Sequence, residues 1–504
     1  MKRHTVIRLS ILLAFTFCLE VVSRLGWVRK GLLTPPTAMV AELWHLMQTS
    51  PFWNSVGTSS LSILLAFVSA TILGSVAGLM LHAFPRVRAS IEPLVSSYYA
   101  LPFFALYPLL IVLMGMNQKP IILIGFLYAV MAIIIGVLNG LDRIPSVLRR
   151  TGESFRLSRL QNAWYISIPA AAPYIFTGAK LAFGYAVTGV IGSEFILADS
   201  GFGYDIAFAY NNFEDKKMYA LLLFLLLLVS LLTMIIYRAE RAVQHRSGSS
   251  TAESDRMPAS PLSKTFAAAI VTMILVGLWQ WAHNHVGNEV LADPLQTINH
   301  LNNLVRTDNF HGHVAETFKA LGLSLLISCL AGAVLGTLVG MSATATRVTS
   351  PMLVTLYALP KVALYPLVLL FFGVGLSAKV AFGAMYGLIP MMLIVINAIQ
   401  SMNQTLPKTA RVMRLSKLQT ISTVIIPAMV PEVVTGIRIS FSITFLGVMI
   451  GEMFASSRGM GYLLMSSINV NDTSTIMGVI VLIALFAVIT NAALMAAERS
   501  INRT

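Results

Sequence analysis

A single spacing, 258 residues, constrains this chain more than any other feature of its sequence. Pro93, Tyr99, Ala100, Leu101, Pro102, Ala105, Leu106, Tyr107, Pro108 and Leu109 recur as Pro351, Tyr357, Ala358, Leu359, Pro360, Ala363, Leu364, Tyr365, Pro366 and Leu367. The register then holds without a gap through Gly115/Gly373, Tyr128/Tyr386, Asn139/Asn397, Leu157/Leu415, Gln161/Gln419, Pro173/Pro431, Glu194/Glu452 and Gly201/Gly459. Two copies with the same spacing of proline, glycine and charge must share a fold. The expected layout is a first domain over 1–237, a linker over 238–262 and a second domain over 263–504.

Hydrophobic residues make up 56% of the chain and charged residues 11%, and the mean hydropathy is +0.77. That is too apolar for a water-soluble protein of this length. Apolar stretches of about 20 residues, enough to cross a hydrocarbon core of roughly 30 Å as a helix, recur through both copies. They lie near 6–23, 57–81, 94–115, 120–139, 174–197 and 218–237, then 264–283, 315–340, 352–375, 379–399, 432–455 and 476–496. The expectation is an all-α polytopic membrane protein of twelve transmembrane helices in two six-helix parallel repeats. Six crossings bring each copy back to its starting side, so a pseudo-twofold axis runs along the membrane normal. A pathway on that axis is the natural place for a solute.

Lys and Arg resist export from the cytoplasm and so report orientation. With the N-terminus inside, 22 of the 35 basic residues fall on the cytoplasmic side, 10 outside and 3 (Lys180, Lys361, Arg438) within spans. Both termini are then cytoplasmic, and the net charge of +14 is mainly a topology signal that needs no nucleic acid to explain it. The first apolar stretch follows Lys2, Arg3 and Arg8 but has no clear small-residue cleavage site, and its counterpart at 264–283 sits mid-chain, so it reads as a retained span. Cys18 and Cys329 both lie in apolar stretches and offer neither a disulfide framework nor a thiolate metal site. His283, His285, His311 and His313 have no counterpart in the first copy and no carboxylate at ligand spacing, so no metal is expected. The polar, Ser-rich stretch from Arg238 to Ser263 reads as a flexible cytoplasmic tether.

The loop after the fourth span of each copy, Asp142 to Ile168 and Gln400 to Ile426, mixes cations with apolar residues such as Val147, Phe155 and Trp164. Within it, Ser158 and Gln161, and again Ser416 and Gln419, have the Ser-x-x-Gln spacing of a capping box. Each loop therefore predicts a short helix, a tight turn and a second short helix. An ordinary positive-inside loop and a docking element both fit one copy; duplication of the whole pattern favours docking.

These loops carry a family resemblance. Ala410, Arg411, Val412, Met413, Arg414, Leu415, Ser416, Lys417, Leu418 and Gln419, running on to Ile426, Pro427, Ala428, Pro431 and Gly436, resemble the coupling-loop motif of bacterial ATP-binding-cassette importer permeases of the nitrate/sulfonate/taurine type. The first copy repeats it from Thr151 through Glu153, Arg156, Leu157, Ser158 and Gln161 to Pro169. The resemblance implies a type I importer permease, two domains fused, in the bacterial inner membrane. It implies that Glu153, Arg156, Leu157, Ser158, Gln161, Arg411, Arg414, Leu415, Ser416 and Gln419 dock two separate ATPase subunits. A substrate-binding protein outside the membrane would deliver a small sulfonate, nitrate or taurine-like anion, or a vitamin-precursor heterocycle. The chain has no Gly-x-x-x-x-Gly-Lys-Ser/Thr loop, so ATP and magnesium belong to the partners, and no cofactor or catalytic residue is expected here. Two departures stand out. Arg156 and Arg414 replace a common family glycine, which predicts a different turn, and the first copy lacks the small-residue pair that Ala410 partly preserves.

Five charged positions are candidates for the pathway. Lys180 and Arg438 lie at equivalent positions seven residues past Pro173 and Pro431, roughly 10 Å along a helix, where each either snorkels to the interface or lines an inner gate. Lys361 is deeper, at roughly 15 Å, and has no basic counterpart, Phe103 holding that place. Glu194 and Glu452 close the fifth span of each copy, either as capped water-facing carboxylates or as pathway groups. The pairs Pro102/Pro108 and Pro360/Pro366 predict a kinked or broken helix. An ion- or proton-coupled secondary transporter with two parallel repeats remains the competing class, and a structural or signalling membrane subunit a third.

Overall fold

The computed structural model describes residues 3–27, 32–85, 87–88, 91, 98, 103–144, 146–244, 261–288, 290–402, 405–454 and 456–501. Pro93, Tyr99, Ala100, Leu101 and Pro102 of the repeat, and linker positions 245–260, lie outside them. Among the described residues the chain is helical and has no strand. The first half contains α1 (Arg3–Arg24), α2 (Pro36–Met47), α3 (Ser50–Ala83), α4 (Tyr107–Met114), α5 (Gln118–Asp142), α6 (Ser146–Ser154), α7 (Arg159–Asn162), α8 (Ile168–Leu197), α9 (Phe202–Asn211) and α10 (Asp215–Gln244). The second contains α11 (Pro261–Val286), α12 (Pro294–Leu304), α13 (Asp308–Gly340), α14 (Ala343–Ala358), α15 (Tyr365–Phe372), α16 (Leu376–Ser401), α17 (Thr405–Val412), α18 (Lys417–Thr420), α19 (Ile426–Phe454), α20 (Met460–Asn469) and α21 (Thr473–Ile501). Every helix but α14, whose equivalent positions fall largely on undescribed residues, has its counterpart among the described residues of the other half, and nearly all begin at the 258-residue offset.

Nine helices among the described residues are long and apolar enough to cross a bilayer, and ten if a bent pair counts as one span, against twelve expected. The first part of the expected span at 94–115 falls largely on undescribed residues; the rest is a 3₁₀ turn, Phe103–Leu106, that leads into α4. The expected span at 352–375 is broken: its arms meet at 89°. Pro360 explains the break, because it lacks an N–H and pushes Leu359 into extended backbone (φ −68°, ψ 137°). A short 3₁₀ turn, Lys361–Leu364, follows before α15 resumes with Pro366 in its first turn, where a missing donor costs nothing.

Each half packs through a stripe of small residues four apart. On α3 these are Ala66, Ala70, Gly74 and Gly78, all buried; on α13 the same positions are Ser324, Ser328, Gly332 and Gly336. A Cβ on Gly78 would stand 2.9 Å from Val137 Cβ of α5, and one on Gly336 would stand 2.9 Å from Val395 Cβ of α16. In lipid no hydrophobic force drives helices together, so close backbone approach through small residues supplies the dispersion contacts instead. The opposite face of α3, with Leu64, Leu65 and Ile72, is exposed and apolar, as a lipid-facing surface should be.

The halves interlock. Arg8 of α1 reaches across to α14, donating from Nε to the Val348 carbonyl at 3.1 Å. Reciprocally, α11 contributes Trp279, Ala282 and Val286 to a cluster that includes Leu109 of α4. At the far ends of α8 and α19, Phe195 and Phe454 meet edge to face with centroids 5.1 Å apart.

Candidate functional site

Two features stand out: a cavity between the halves and a pair of hooked loops at one end of the bundle.

The cavity has a volume of about 520 Å³ and lies along the middle of α8 and α19, with walls from α5, α10, α14 and α16. Lys180, Lys361 and Arg438 all line it, together with Tyr128, Tyr185, Tyr357 and Tyr386, and among the described residues no acidic one does. Lys180 and Arg438 therefore stand on the inner faces of α8 and α19. Arg438 is held by α21, its Nε donating to Glu498 Oε2 at 2.7 Å, and Thr435 donates to the same carboxylate. Lys361 is only 6% exposed. Its ammonium donates to the Tyr357 carbonyl at 3.2 Å and stands 4.7 Å and 5.1 Å from the ring centroids of Tyr357 and Tyr386. The Pro360 break carries it there, because a 3₁₀ turn at the bend aims its first side chain inward rather than along a helix flank. Across the halves, the Tyr185 and Tyr357 hydroxyls meet at 3.3 Å. The Tyr386 hydroxyl is buried with no hydrogen-bond partner among the described residues.

Beyond Gly192 the space is filled. Glu194 and Glu452 do not line the cavity and do not face water: they are 1% and 0% exposed. Ser59 Oγ lies 2.8 Å and 2.7 Å from the two Glu194 oxygens and shares its single proton with that carboxylate, the Gly203 N–H donates at 2.9 Å, and the Phe202 N–H donates to Ser59 Oγ at 2.7 Å. Thr317, Gly461 and Met460 repeat this around Glu452 at 2.8–3.0 Å. Each carboxylate thus caps the free N–H groups at the start of the following helix, α9 or α20, where the helix dipole also favours an anion. Gly201 (φ +111°) and Gly459 (φ +130°) permit this, since a side chain there would collide with the carboxylate. Outside the spans, burial raises the Asp205 carboxyl of α9 above the usual aspartate range, a rise that the bond from Ser55 and the charge of Lys217 offset only in part. Ser59 and Thr317 escaped the sequence reading, although their recurrence at the repeat offset was a usable signal. So did Lys379, 1% exposed, which bonds Glu316 at 3.1 Å and the Arg458 carbonyl at 2.8 Å in the second half alone.

The hooked loops have the same geometry twice. In the first, α6 ends in a turn closed by the Leu157 N–H on the Gly152 carbonyl at 3.1 Å; in the second, α17 ends with Leu415 on Ala410 at 3.0 Å. Both are Schellman turns, and both require a left-handed residue. Arg156 (φ 50°) and Arg414 (φ 51°) fill that place, so the arginines adopt the glycine conformation instead of the different turn that their type predicts. Gly152 is buried against Asn162, at the position equivalent to buried Ala410, so the first half does keep a small residue at this contact. The capping boxes form reciprocally: Ser158 N to Gln161 Oε1 and Ser416 N to Gln419 Oε1 both at 2.9 Å, with the return bonds both at 3.3 Å. Glu153 lies in the last turn of α6 and Arg411 in that of α17. After α7 and α18 come π turns, Ala163–Ser167 and Ile421–Ile425, that run directly into α8 and α19. Pro169 and Pro427 explain the widening, since a proline ring crowds the carbonyl four residues earlier. Phe155, Trp164, Val412 and Met413 are exposed at these tips.

A duplicated helical membrane unit that encloses a polar cavity between its halves, with matched hooks continuous with the cavity-lining helices, defines a transmembrane permease. Residues 70–248 and 329–504 both match the family described as binding-protein-dependent transport system inner membrane component. The chain belongs to that family and is the permease component of an ATP-binding-cassette importer. Relatives include the putative aliphatic sulfonates transport permease SsuC of Bacillus subtilis, 27% identical over 46% of this chain and 85% of that protein. The taurine transport system permease TauC of Escherichia coli is 26% identical over 36% and 68%, and the nitrate import permease NrtB of Leptolyngbya laminosa 26% over 41% and 78%. Each aligns with less than half of this chain, as a single-domain relative of a duplicated protein would. Permeases of this family work with ATPase and substrate-binding partners.

Proposed function

We propose that this chain forms the whole translocation path of an importer for a small anion, each half, 1–237 and 263–504, engaging one of two ATPase subunits through its hook. The observation that supports this is continuity: each hook passes through a π turn, without a break, into a helix that lines the cavity. A displacement of Leu157 or Leu415 is thereby carried to Lys180 or Arg438. The docking surface comprises Glu153, Arg156, Leu157, Ser158 and Gln161 with Arg411, Arg414, Leu415, Ser416 and Gln419.

In this reading the hooks, both termini and the 238–262 tether are cytoplasmic. The packed end, stapled by Glu194 and Glu452, faces the binding protein outside, and the cavity belongs to the inward-facing resting state. ATP and magnesium are held by the partners and no cofactor by this chain. The anionic cargo follows from the cationic lining and agrees with the sulfonate, taurine and nitrate named for the relatives.

The test is affinity purification of the chain co-expressed with its ATPase. Two ATPase copies per chain are expected, one with L157D or L415D, and none with both. Undiminished recruitment by the double variant would refute the docking assignment. Uptake at full speed into vesicles down an ion gradient, without nucleotide, would refute the importer.

A further inference from the structure

We propose that the central cavity is itself an anion-binding site that accommodates a single negative charge, with Lys361 as its cation and the Tyr386 hydroxyl as its second donor. The inference rests on reading the cavity as the solute path and adds a selectivity that the path itself imposes.

Lys361 is buried, yet everything that touches its ammonium is neutral: one carbonyl and two aromatic rings. No carboxylate among the described residues lies within ion-pair distance of it, and none lines the cavity. A buried ammonium without a counter-ion is costly, and an entering anion removes that cost. The Tyr386 hydroxyl beside it is equally incomplete, buried and with no hydrogen-bond partner among the described residues. A buried ammonium without a counter-ion and, beside it, a buried hydroxyl without a partner among the described residues, both lining one cavity, make a built acceptor site.

Charge number follows from what surrounds them. Phe103 occupies the place in the first half that Lys361 holds in the second, so the deep part of the cavity has one cation instead of two. Arg438 is neutralised by Glu498, and Lys180 stands at the equivalent position on α8, nearer the hooks. The rest of the deep wall mixes Leu359, Ile443 and Leu446 with the hydroxyls of Thr188 and Ser442 and adds no second cation among the described residues. A monoanion is matched by Lys361. A dianion leaves one charge without a cation.

The experiment is scintillation-proximity binding of [35S]methanesulfonate and [35S]sulfate to the purified full-length chain at equal ionic strength. These probes share a sulfonyl centre and differ in charge. Expected is saturable methanesulfonate binding, one per chain, with sulfate about tenfold or more weaker. K361Q should lose about tenfold or more, the value of a charge-assisted bond, K361R should retain binding, and Y386F should weaken it several-fold. Equal affinity for sulfate, or unchanged binding in K361Q, overturns the proposal. If K361Q does not elute as a single species, Y386F, which keeps its ring, decides: undiminished binding there overturns it too. A chain that recruits its ATPase but holds no methanesulfonate refutes this site and leaves the importer standing; the reverse result does the opposite.

Discussion

Replacing Ser59 by alanine should be among the most damaging single-atom deletions in the protein. Its hydroxyl accepts from the Phe202 N–H at 2.7 Å and donates to Glu194. Phe202 is 2% exposed and Glu194 1%, so water cannot replace either bond. An N–H left buried and unpaired costs about 1–3 kcal/mol, and a lost hydroxyl bond to a carboxylate about 1.5–3 kcal/mol, so S59A should destabilise by about 2.5–6 kcal/mol. The assay is titration of the purified chain with sodium dodecyl sulfate, followed by tryptophan fluorescence. S59T should stay within about 1 kcal/mol of wild type, because Thr317 performs the same task around Glu452. S59A combined with T317A should be additive within about 0.5 kcal/mol, since the two sites share no partner. If S59A itself lies within about 0.5 kcal/mol of wild type, the carboxylates are not staples and the account of the closed end is wrong.

Three further outcomes follow from packing and backbone geometry. G336L should cost about 2–3 kcal/mol in the same titration, because its side chain must displace Val395, whereas G57A, with nothing within 4 Å, should be neutral or gain up to about 1 kcal/mol in helix propensity. R156G and R414G should each add up to about 1 kcal/mol of stability, the relief of a left-handed arginine less the entropy of glycine, while weakening ATPase recruitment in the pull-down because the docking surface loses a cation. R414V, β-branched at the same angle, should unmake the second hook and lower recruitment in the pull-down. E498Q, which releases Arg438 from its counter-ion, should raise sulfate binding relative to methanesulfonate in the proximity assay.

The repeat made most of this fold legible, because a constant offset transfers each helix of one half to the other. The capping boxes were legible too, since Ser and Gln three apart satisfy each other locally. What escaped depended on the third dimension. Whether Lys180 snorkels or faces inward is set by the rotation of α8 against α5 and α10, which residue spacing alone leaves open. Glu194 looked solvated because its hydroxyl partner lies 135 residues away. Arg156 argued against a left-handed turn by its type, but the Schellman bond from Leu157 overrode that preference. The small-residue stripe on α3 was in plain view as a four-residue period, hidden only because Ala and Gly differ little from their apolar surroundings in hydropathy.

Fusion of the halves has a consequence for arithmetic on the central axis. Two identical subunits around a twofold can place charges near their shared line only in twos, so a homodimer has either no lysine at that depth or a couple that repel each other. Covalent duplication frees the copies to diverge, and Lys361, whose equivalent in the first half is Phe103, is an odd number that symmetry would forbid. Joining two genes into one thus opens a class of interiors, those with an unshared charge, that an assembly of equals cannot reach.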